Sequence, residues 1–328
     1  GVVNVDTASV KDSSQTVASL NAAFFTSPAG GVSLSYSLLN GGLVYPEDFT
    51  SLELLTAYVN VERARAAFNT WGLGDLKAAN LFAHTDLTDE TGLTPLKNGE
   101  IYYPPLGAFF FPKATEGAQQ LPVHFNLGAV THGLALQAIQ AKAWGGRPNN
   151  PSVYGGTADP DAVVGNHVWQ SVAMGLADFL GAAAGEDPEW FEKSLQQEAA
   201  ARDLDLQRCG DASMLAALEA PDRPGDPPYD PYPLGTVLGA ALWEASGDSR
   251  TEAASDTLGS LNPLGQASSA SSGNLSLATA LDTLVGTASS DRKPALCGLF
   301  INRFSSLSVT SLPSCSDITP TPPLEPCQ

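Results

Sequence analysis

His132 lies in the segment VTHG at residues 130–133, whose residue types come nearest to a catalytic metal site in this chain. A hydrolytic zinc helix carries two His one turn apart, so that both imidazoles bind one Zn²⁺, and a neighbouring Glu that acts as general base. With His132 as the second His, the first position holds Gly128 and the Glu position holds Ala129. Neither side chain can bind a metal or accept a proton.

A second register of the same motif starts from His124. It places Phe125 on the Glu position and Gly128 on the second His, so it fails as well. His124, His132 and His167 could instead form a three-histidine metal site of another kind. His124 and His132 are eight residues apart, which on one helix is a little over two turns and too far to bind one small ion.

One helix must position the histidine segment, and the sequence predicts it over Leu121–Trp144, with Pro122 in its first turn and Gly145 after its end. Before this helix the sequence predicts a strand around Gly31–Leu39, a helix over Leu52–Trp71 ended by Gly72, and strands over Leu76–Thr88 and Glu100–Phe111. The last of these is aromatic and is broken by Pro104 and Pro105, which mark an edge or a turn. After it come helices over Val168–Ala184 and Asp187–Ala201, a loop over Asp211–Pro233, a helix over Leu234–Ser246, a linker over Asn262–Asn274, and helices over Leu275–Thr287 and Lys293–Phe304.

This order of elements predicts an α+β fold, with an N-terminal mixed α/β lobe, a long central helix and a mainly α-helical C-terminal lobe. We expect four parts: a strand-rich extension at 1–50, the mixed lobe at 51–146, the helical lobe at 147–310, and a Thr/Pro-rich tail that contains a disulfide at 311–328.

The charge of the chain restricts its partners. It has 328 residues, with 16 Lys and Arg against 35 Asp and Glu, for a net charge of −19. So acidic a chain is a poor ligand for nucleic acid or for anionic lipid. No apolar run is long enough for a membrane span. A start at Gly1 without Met favours a processed form that is secreted or at the cell surface, with a lipid anchor and a periplasmic location left open.

The four cysteines, Cys209, Cys297, Cys315 and Cys327, are typical of two disulfides in an oxidising compartment. Three pairings are possible. Proximity in the sequence favours Cys209–Cys297 and Cys315–Cys327.

Four stretches of the chain share a pattern with one enzyme family. They are AYVNVERA at 57–64 with LG at 73–74, YYPPLGAFFF at 102–111, the helix over Leu121–Trp144, and MGLADF at 174–179 with GEDP at 185–188 and RDL at 202–204. Together they resemble the gluzincin metallopeptidases, in the thermolysin-like and fungalysin-like branch. The resemblance spans roughly residues 57–304 and implies a thermolysin-like fold.

The resemblance also implies which functional groups are missing. In active members the stretch at 174–179 reads N-E-G-x-A-D, whose Glu is the third zinc ligand and whose Asp orients a ligand His. Met174 stands in place of that Glu, whereas Asp178 is kept, and Tyr232 stands in place of the His that stabilises the oxyanion. Of three ligands only His132 remains, although catalytic zinc needs three protein ligands and an open position.

The sequence therefore predicts a catalytically inactive, metallopeptidase-like protein without a metal or other cofactor, which binds a protein or peptide or serves as an assembly subunit. In active relatives the aromatic edge strand binds the substrate backbone, so the resemblance makes this strand the candidate peptide-binding edge. Its candidate residues are Tyr102, Tyr103, Phe109 and Phe110.

Three alternatives stay open at this point. One is an active hydrolase with a relocated metal site, and another is a subunit of an extracellular filament or coat. The third concerns structural Ca²⁺, which carboxylates and carbonyls of Asp159–Asp161 and Asp222–Asp230 could bind.

Overall fold

The computed structural model describes residues 23–26, 35–39, 43–76, 80–89, 101–103, 108–112, 121–143, 160–192, 194, 202–220, 229–270 and 275–319. The strands are β1 (Ala23–Thr26), β2 (Tyr36–Leu39), β3 (Leu43–Pro46), β4 (Asn80–Asp89), β5 (Ile101–Tyr103) and β6 (Ala108–Pro112). The helices are α1 (Phe49–Thr70), α2 (Leu127–Ala143), α3 (Pro160–Gly185), α4 (Ala212–Glu219), α5 (Tyr232–Ser246), α6 (Arg250–Gly259), α7 (Leu261–Ala270), α8 (Leu277–Thr287) and α9 (Lys293–Arg303). Strands and one helix come first and helices follow, which confirms the α+β class.

The first sheet has four strands in the order β1-β4-β6-β5. β1 is antiparallel to β4, β4 is parallel to β6, and β6 is antiparallel to β5. The break that Pro104 and Pro105 predict within Glu100–Phe111 agrees with the structure, because β5 and β6 are separate strands on either side of these prolines. A proline cannot donate to a strand ladder, which explains a break at this point.

The second sheet is the hairpin of β2 and β3, in which Tyr36 pairs with Pro46 and Leu39 with Leu43. The strand predicted around Gly31–Leu39 is confirmed at its C-terminal end, while residues 31–34 lie outside the described part of the chain.

Helix α1 is confirmed with an earlier start than predicted. The Asp48 carboxylate accepts from the Ser51 N–H at 2.6 Å and caps the first turn. At the other end Gly72 has a φ of +90°, and the N–H of Leu73 donates to the Phe68 carbonyl at 2.9 Å. The helix thus ends at a glycine in the left-handed conformation, as the sequence predicts for Gly72.

The central helix is shorter than predicted, since α2 begins at Leu127 and Val123–Phe125 form a separate 3-10 turn. Asn126 separates the two elements, because its side-chain oxygen accepts from the N–H groups of Gly128 at 3.0 Å and Ala129 at 3.4 Å. His124 consequently lies outside α2, and its separation from His132 is not set by one helix axis.

Two more expectations are wrong in the C-terminal half, and a third is not met over the part that the structure describes. The expected linker at 262–274 is largely α7, where Leu261, Leu264 and Ser268 are buried at helical spacing. The expected loop at 211–233 contains α4, which the carboxylate of Asp211 caps. The expected helix at 187–201 is a series of turns through residue 192, and residues 195–201 lie outside the described ranges.

The core is centred on α3, which packs against α2 on one side and α5 on the other. The crossing with α5 is close because glycines meet there. A Cβ on Gly175 would lie 2.5 Å from the carbonyl oxygen of Gly235, and a Cβ on Gly239 would lie 3.1 Å from that of Gly175. Helices on both sides of residue 146 share this core, and the boundaries of the four expected parts stay predictions.

The disulfide pairing favoured by sequence proximity is wrong. Cys297 in α9 is bonded to Cys315, with an S–S distance of 2.05 Å and 5.8 Å between the Cα atoms. Cys209 is disulfide-bonded as well, and Cys327 lies outside the described residues. Packing of α9 against the 3-10 turn Pro313–Cys315 sets the pairing, which spacing along the chain does not reveal. Within the described ranges, no helix is both long and apolar enough to cross a bilayer.

Candidate functional site

The position to which the resemblance assigns a metal, called the remnant metal position below, lies where α2 and α3 pack together. His132 of α2 and Asp178 of α3 are both buried, and the His132 Nε2 atom is 3.3 Å from Asp178 Oδ1. Met174 and Asp178 share one side of α3, as their spacing predicts, because both face α5. A Cβ on Gly235 of α5 would lie 3.1 Å from Met174 Cβ, and a Cβ on Gly239 of α5 would lie 3.7 Å from Asp178 Cβ.

Arg202 occupies the centre of this position, and the search for metal ligands in the sequence missed its role. Its Nη2 donates to Asp178 Oδ1 at 2.5 Å, and its Nε lies 3.4 Å from Oδ2. The same Nη2 is 3.4 Å from His132 Nε2. A guanidinium therefore stands beside the imidazole and the carboxylate that the resemblance assigns to a zinc site. The available signal was the RDL run at 202–204.

Aromatic rings enclose the guanidinium of Arg202. Its Cζ atom is 3.5 Å from the ring centre of Phe191 and 4.1 Å from that of Tyr232, and it is 5.9 Å from the Trp190 ring. A planar cation between ring faces is stabilised by the ring quadrupoles, more so away from water. Tyr232, which the resemblance sets in place of the oxyanion His, thus packs on the guanidinium of Arg202.

His132 is buried beside a cation, because Arg202 Nη2 lies 3.4 Å from its Nε2. Burial first, and the positive charge of Arg202 second, hold the pKa of His132 well below its usual 6.5. Arg202 and Asp178 form an ion pair, whereas the contact between His132 and Asp178 is an ion pair only with a protonated imidazole. His132 could bind a metal through Nε2 only by displacing this arrangement.

Trp190 fills the space beside Gly128, the residue that the resemblance sets in place of the first zinc-binding His. A Cβ on Gly128 would lie 2.8 Å from Cγ and Cδ2 of Trp190, far inside van der Waals contact. On the other side a Cβ on Gly181 would lie 3.2 Å from the indole. The Trp190 Nε1 is buried without a hydrogen-bond partner in the described part of the chain, so shape holds the indole between the two glycines.

A cavity of about 490 Å³ lies at the start of α2 and the end of α3. Gly128 lines it, together with Trp190, whereas His132, Asp178 and Arg202 do not. The open space therefore lies beside the remnant position, which is itself closed by side chains.

The other predicted histidines have separate environments. His124 Nε2 lies 3.1 Å from the buried carboxylate of Glu53, and His167 Nδ1 is 2.9 Å from the carbonyl oxygen of Leu218. No group of three or more His, Cys, Asp or Glu that could hold a metal occurs among the described residues. The three-histidine hypothesis is thus not supported there, and the Asp segments considered for Ca²⁺ lie mostly outside the described ranges.

The candidate peptide-binding edge is corrected in part. Phe109 and Phe110 lie in β6, which is paired with β4 on one side and β5 on the other, so their backbone does not form an edge. Tyr102 and Tyr103 lie in β5, the outermost strand of the described sheet, which lies near α2.

Comparison with protein-family models, with curated proteins and with solved structures found no match.

Proposed function

We propose that this protein is a catalytically inactive, metallopeptidase-like protein that acts by binding another protein or peptide. The supporting observation is the Arg202 guanidinium, which lies 2.5 Å from Asp178 and 3.4 Å from His132 in the remnant metal position. A buried cation here opposes a second cation, because two positive charges would share one carboxylate. The thermolysin-like frame is part of the proposal, and the packing of α2 on α3 supports it.

The chemistry of the remaining groups also supports an inactive protein. Ala129 cannot act as general base, and loss of such a base typically reduces a rate by roughly 10²–10⁴. Met174 offers a thioether where a hard carboxylate would be needed, and the one retained His contacts Asp178 and Arg202. No cofactor is part of this proposal.

We place the protein in an oxidising compartment, secreted or at the cell surface. The Cys297–Cys315 disulfide supports this location, because disulfides are rare in reducing compartments. The net charge of −19 favours a protein partner with basic groups over nucleic acid.

Zinc content and hydrolysis test this function together. The protein, dialysed against a zinc buffer and then against metal-free buffer, is expected to retain no stoichiometric zinc by elemental analysis. We also expect no casein cleavage with or without a chelator. Stoichiometric zinc, or cleavage that a chelator blocks, would contradict the proposal and favour an active hydrolase with a relocated metal site.

A second candidate function, a subunit of an extracellular filament or coat, is favoured by the β2–β3 hairpin. Leu38 and Leu43 lie on its two opposite faces and are 68% and 67% exposed. A two-stranded hairpin is marginal in water by itself, and pairing with a second copy of this chain would cover it. Sedimentation velocity measures the oligomeric state that tests this candidate. A concentration-dependent oligomer that is absent in the Leu38→Ser/Leu43→Ser variant supports it, and a monomer at all concentrations rejects it.

A further inference from the structure

The cavity at the start of α2 has one apolar wall and one acidic rim. The apolar wall consists of Leu121, Phe125, Leu127 and Trp190. The volume of the cavity, about 490 Å³, falls in the range that small ligands and side chains of a partner fill. Leu121 is 46% exposed, so the wall reaches the surface and is open to a partner.

The acidic rim is formed by Glu186 and Asp187, which follow the last residue of α3. Glu186 has a φ of +52°, a left-handed conformation that favours glycine. The N–H of Asp187 donates to the Ala182 carbonyl at 3.1 Å, which is the bond that such a helix end makes. A carboxylate thus stands at a strained backbone position on the cavity, and strain of this kind clusters at binding sites.

More carboxylates surround this rim. The pKa of Glu189 is raised by the negative charge of Asp203 first, and also by those of Glu192, Asp187 and Asp205. The negative charges that raise the pKa of Glu189 lie close to it and repel its carboxylate. A cationic group of a partner would relieve that repulsion, and an acidic patch also steers a basic partner towards the surface.

From this geometry we propose that the cavity binds a basic peptide segment, with an apolar side chain inserted against Leu121 and Trp190 and flanking Lys or Arg side chains on the acidic rim. Arg63, the cation that lines the cavity, supplies donors for backbone carbonyl oxygens of the bound segment. This inference rests on the proposed binding function and names the class of partner. It uses the open cavity, not the closed remnant position.

Three acetylated and amidated hexapeptides test the inference by isothermal titration calorimetry on the full chain. Lys-Lys-Leu-Leu-Lys-Lys carries both features, Lys-Lys-Ser-Ser-Lys-Lys lacks the apolar side chains, and Glu-Glu-Leu-Leu-Glu-Glu lacks the cations. We expect the first to bind at least about tenfold more tightly than either of the others. Equal binding of the first two would overturn the inference, because it would show charge attraction alone, and so would absence of binding.

Variants of this chain place the site. Leu121→Ser should bring the affinity of the leucine peptide close to that of the serine peptide, and Glu186→Gln/Asp187→Asn should weaken it by about fivefold. The matched control, Glu219→Gln/Asp248→Asn, removes two exposed charges that do not line the cavity and should leave affinity within about twofold. An equal loss in both charge variants would overturn the assignment to this cavity. Mass spectrometry of the peptide after the titration separates the two proposals. A cleaved peptide contradicts the proposed function, whereas an intact peptide that shows no binding by calorimetry contradicts this inference alone.

Discussion

Arg202 and Asp178 form a buried ion pair in which the Arg202 Nη2 lies 2.5 Å from Asp178 Oδ1. Their side chains are 5% and 0% exposed. Because two opposite charges are withdrawn from water together, each depends on the other for compensation. The position where the resemblance places a divalent cation thus contains a monovalent cation from the chain itself.

Breaking this pair should destabilise the protein strongly. We expect Arg202→Met and Asp178→Leu, taken singly, to lower the free energy of unfolding by about 3–5 kcal/mol each, since each leaves one buried charge uncompensated. The double variant should lose less than the sum by at least about 1.5 kcal/mol. Urea denaturation of the four proteins measures this coupling, with the exposed Asp248→Asn as a control within about 0.5 kcal/mol. Additive losses would show that the two charges do not interact.

Acid should destabilise the protein through His132. Its pKa in the folded protein is well below 6.5, whereas in the unfolded chain it is ordinary. Below about pH 6.5 the unfolded chain takes up a proton that the folded protein does not. The contribution of His132 to the free energy of unfolding is therefore complete above that pH and is lost as pH falls. The slope approaches ~1.4 kcal/mol per pH unit. Urea denaturation between pH 7.5 and 5 measures it, and His132→Gln should remove this part of the slope.

The helical frame could be predicted from sequence because periodicity and end signals act locally. Gly72 marks the end of α1, and the apolar pattern marks the course of α3 and α5. The α7 helix was missed because its Ser-rich sequence is typical of a linker. Its buried Ser268 accepts from the Trp169 Nε1 at 2.7 Å, across 99 residues of sequence, and no local pattern contains such a partner.

That Gly128, Ala129 and Met174 cannot act as the zinc-site residues of the resemblance follows from their residue types, but the surroundings of these residues could not be predicted. Trp190 fills the space beside Gly128, although the two residues are 62 positions apart in the sequence. The prediction of the disulfide pairing was wrong for the same reason, because the packing of α9, not distance along the chain, brings Cys297 and Cys315 together.

Removing the Cys297–Cys315 disulfide should lower stability by about 3 kcal/mol, the usual effect of opening a loop of this length. The bond spans a sequence separation of 18 residues. Cys297→Ala/Cys315→Ala, compared with the parent by urea denaturation under non-reducing conditions, measures this loss. An unchanged midpoint would mean that packing of α9 alone holds the C-terminal segment.

Replacing Glu186 by glycine should stabilise the protein while weakening the proposed peptide site. Glycine adopts the left-handed conformation at position 186 without the steric cost of a side chain, which is roughly 1 kcal/mol. Ser308→Gly is a matched control, because Ser308 also has a positive φ of +65° and lies away from the cavity lining. Both variants should gain stability, and only Glu186→Gly should lose peptide affinity. A loss of stability in Glu186→Gly would show that its carboxylate supports the fold.

Introducing a side chain at Gly128 should be destabilising because Trp190 already fills that space. Gly128→Ala places its Cβ 2.8 Å from the indole, and we expect a loss of about 1–3 kcal/mol. The matched control is Gly259→Ala, at the end of α6, where a new Cβ has no atom within 4 Å. The control should change stability by less than about 1 kcal/mol in either direction.

The same crowding should keep the triple variant Gly128→His/Ala129→Glu/Met174→Glu from binding zinc, although it restores the residue types of a metallopeptidase. Stoichiometric zinc in that variant, measured by elemental analysis, would show instead that Trp190 and Arg202 withdraw easily and that the position is not closed.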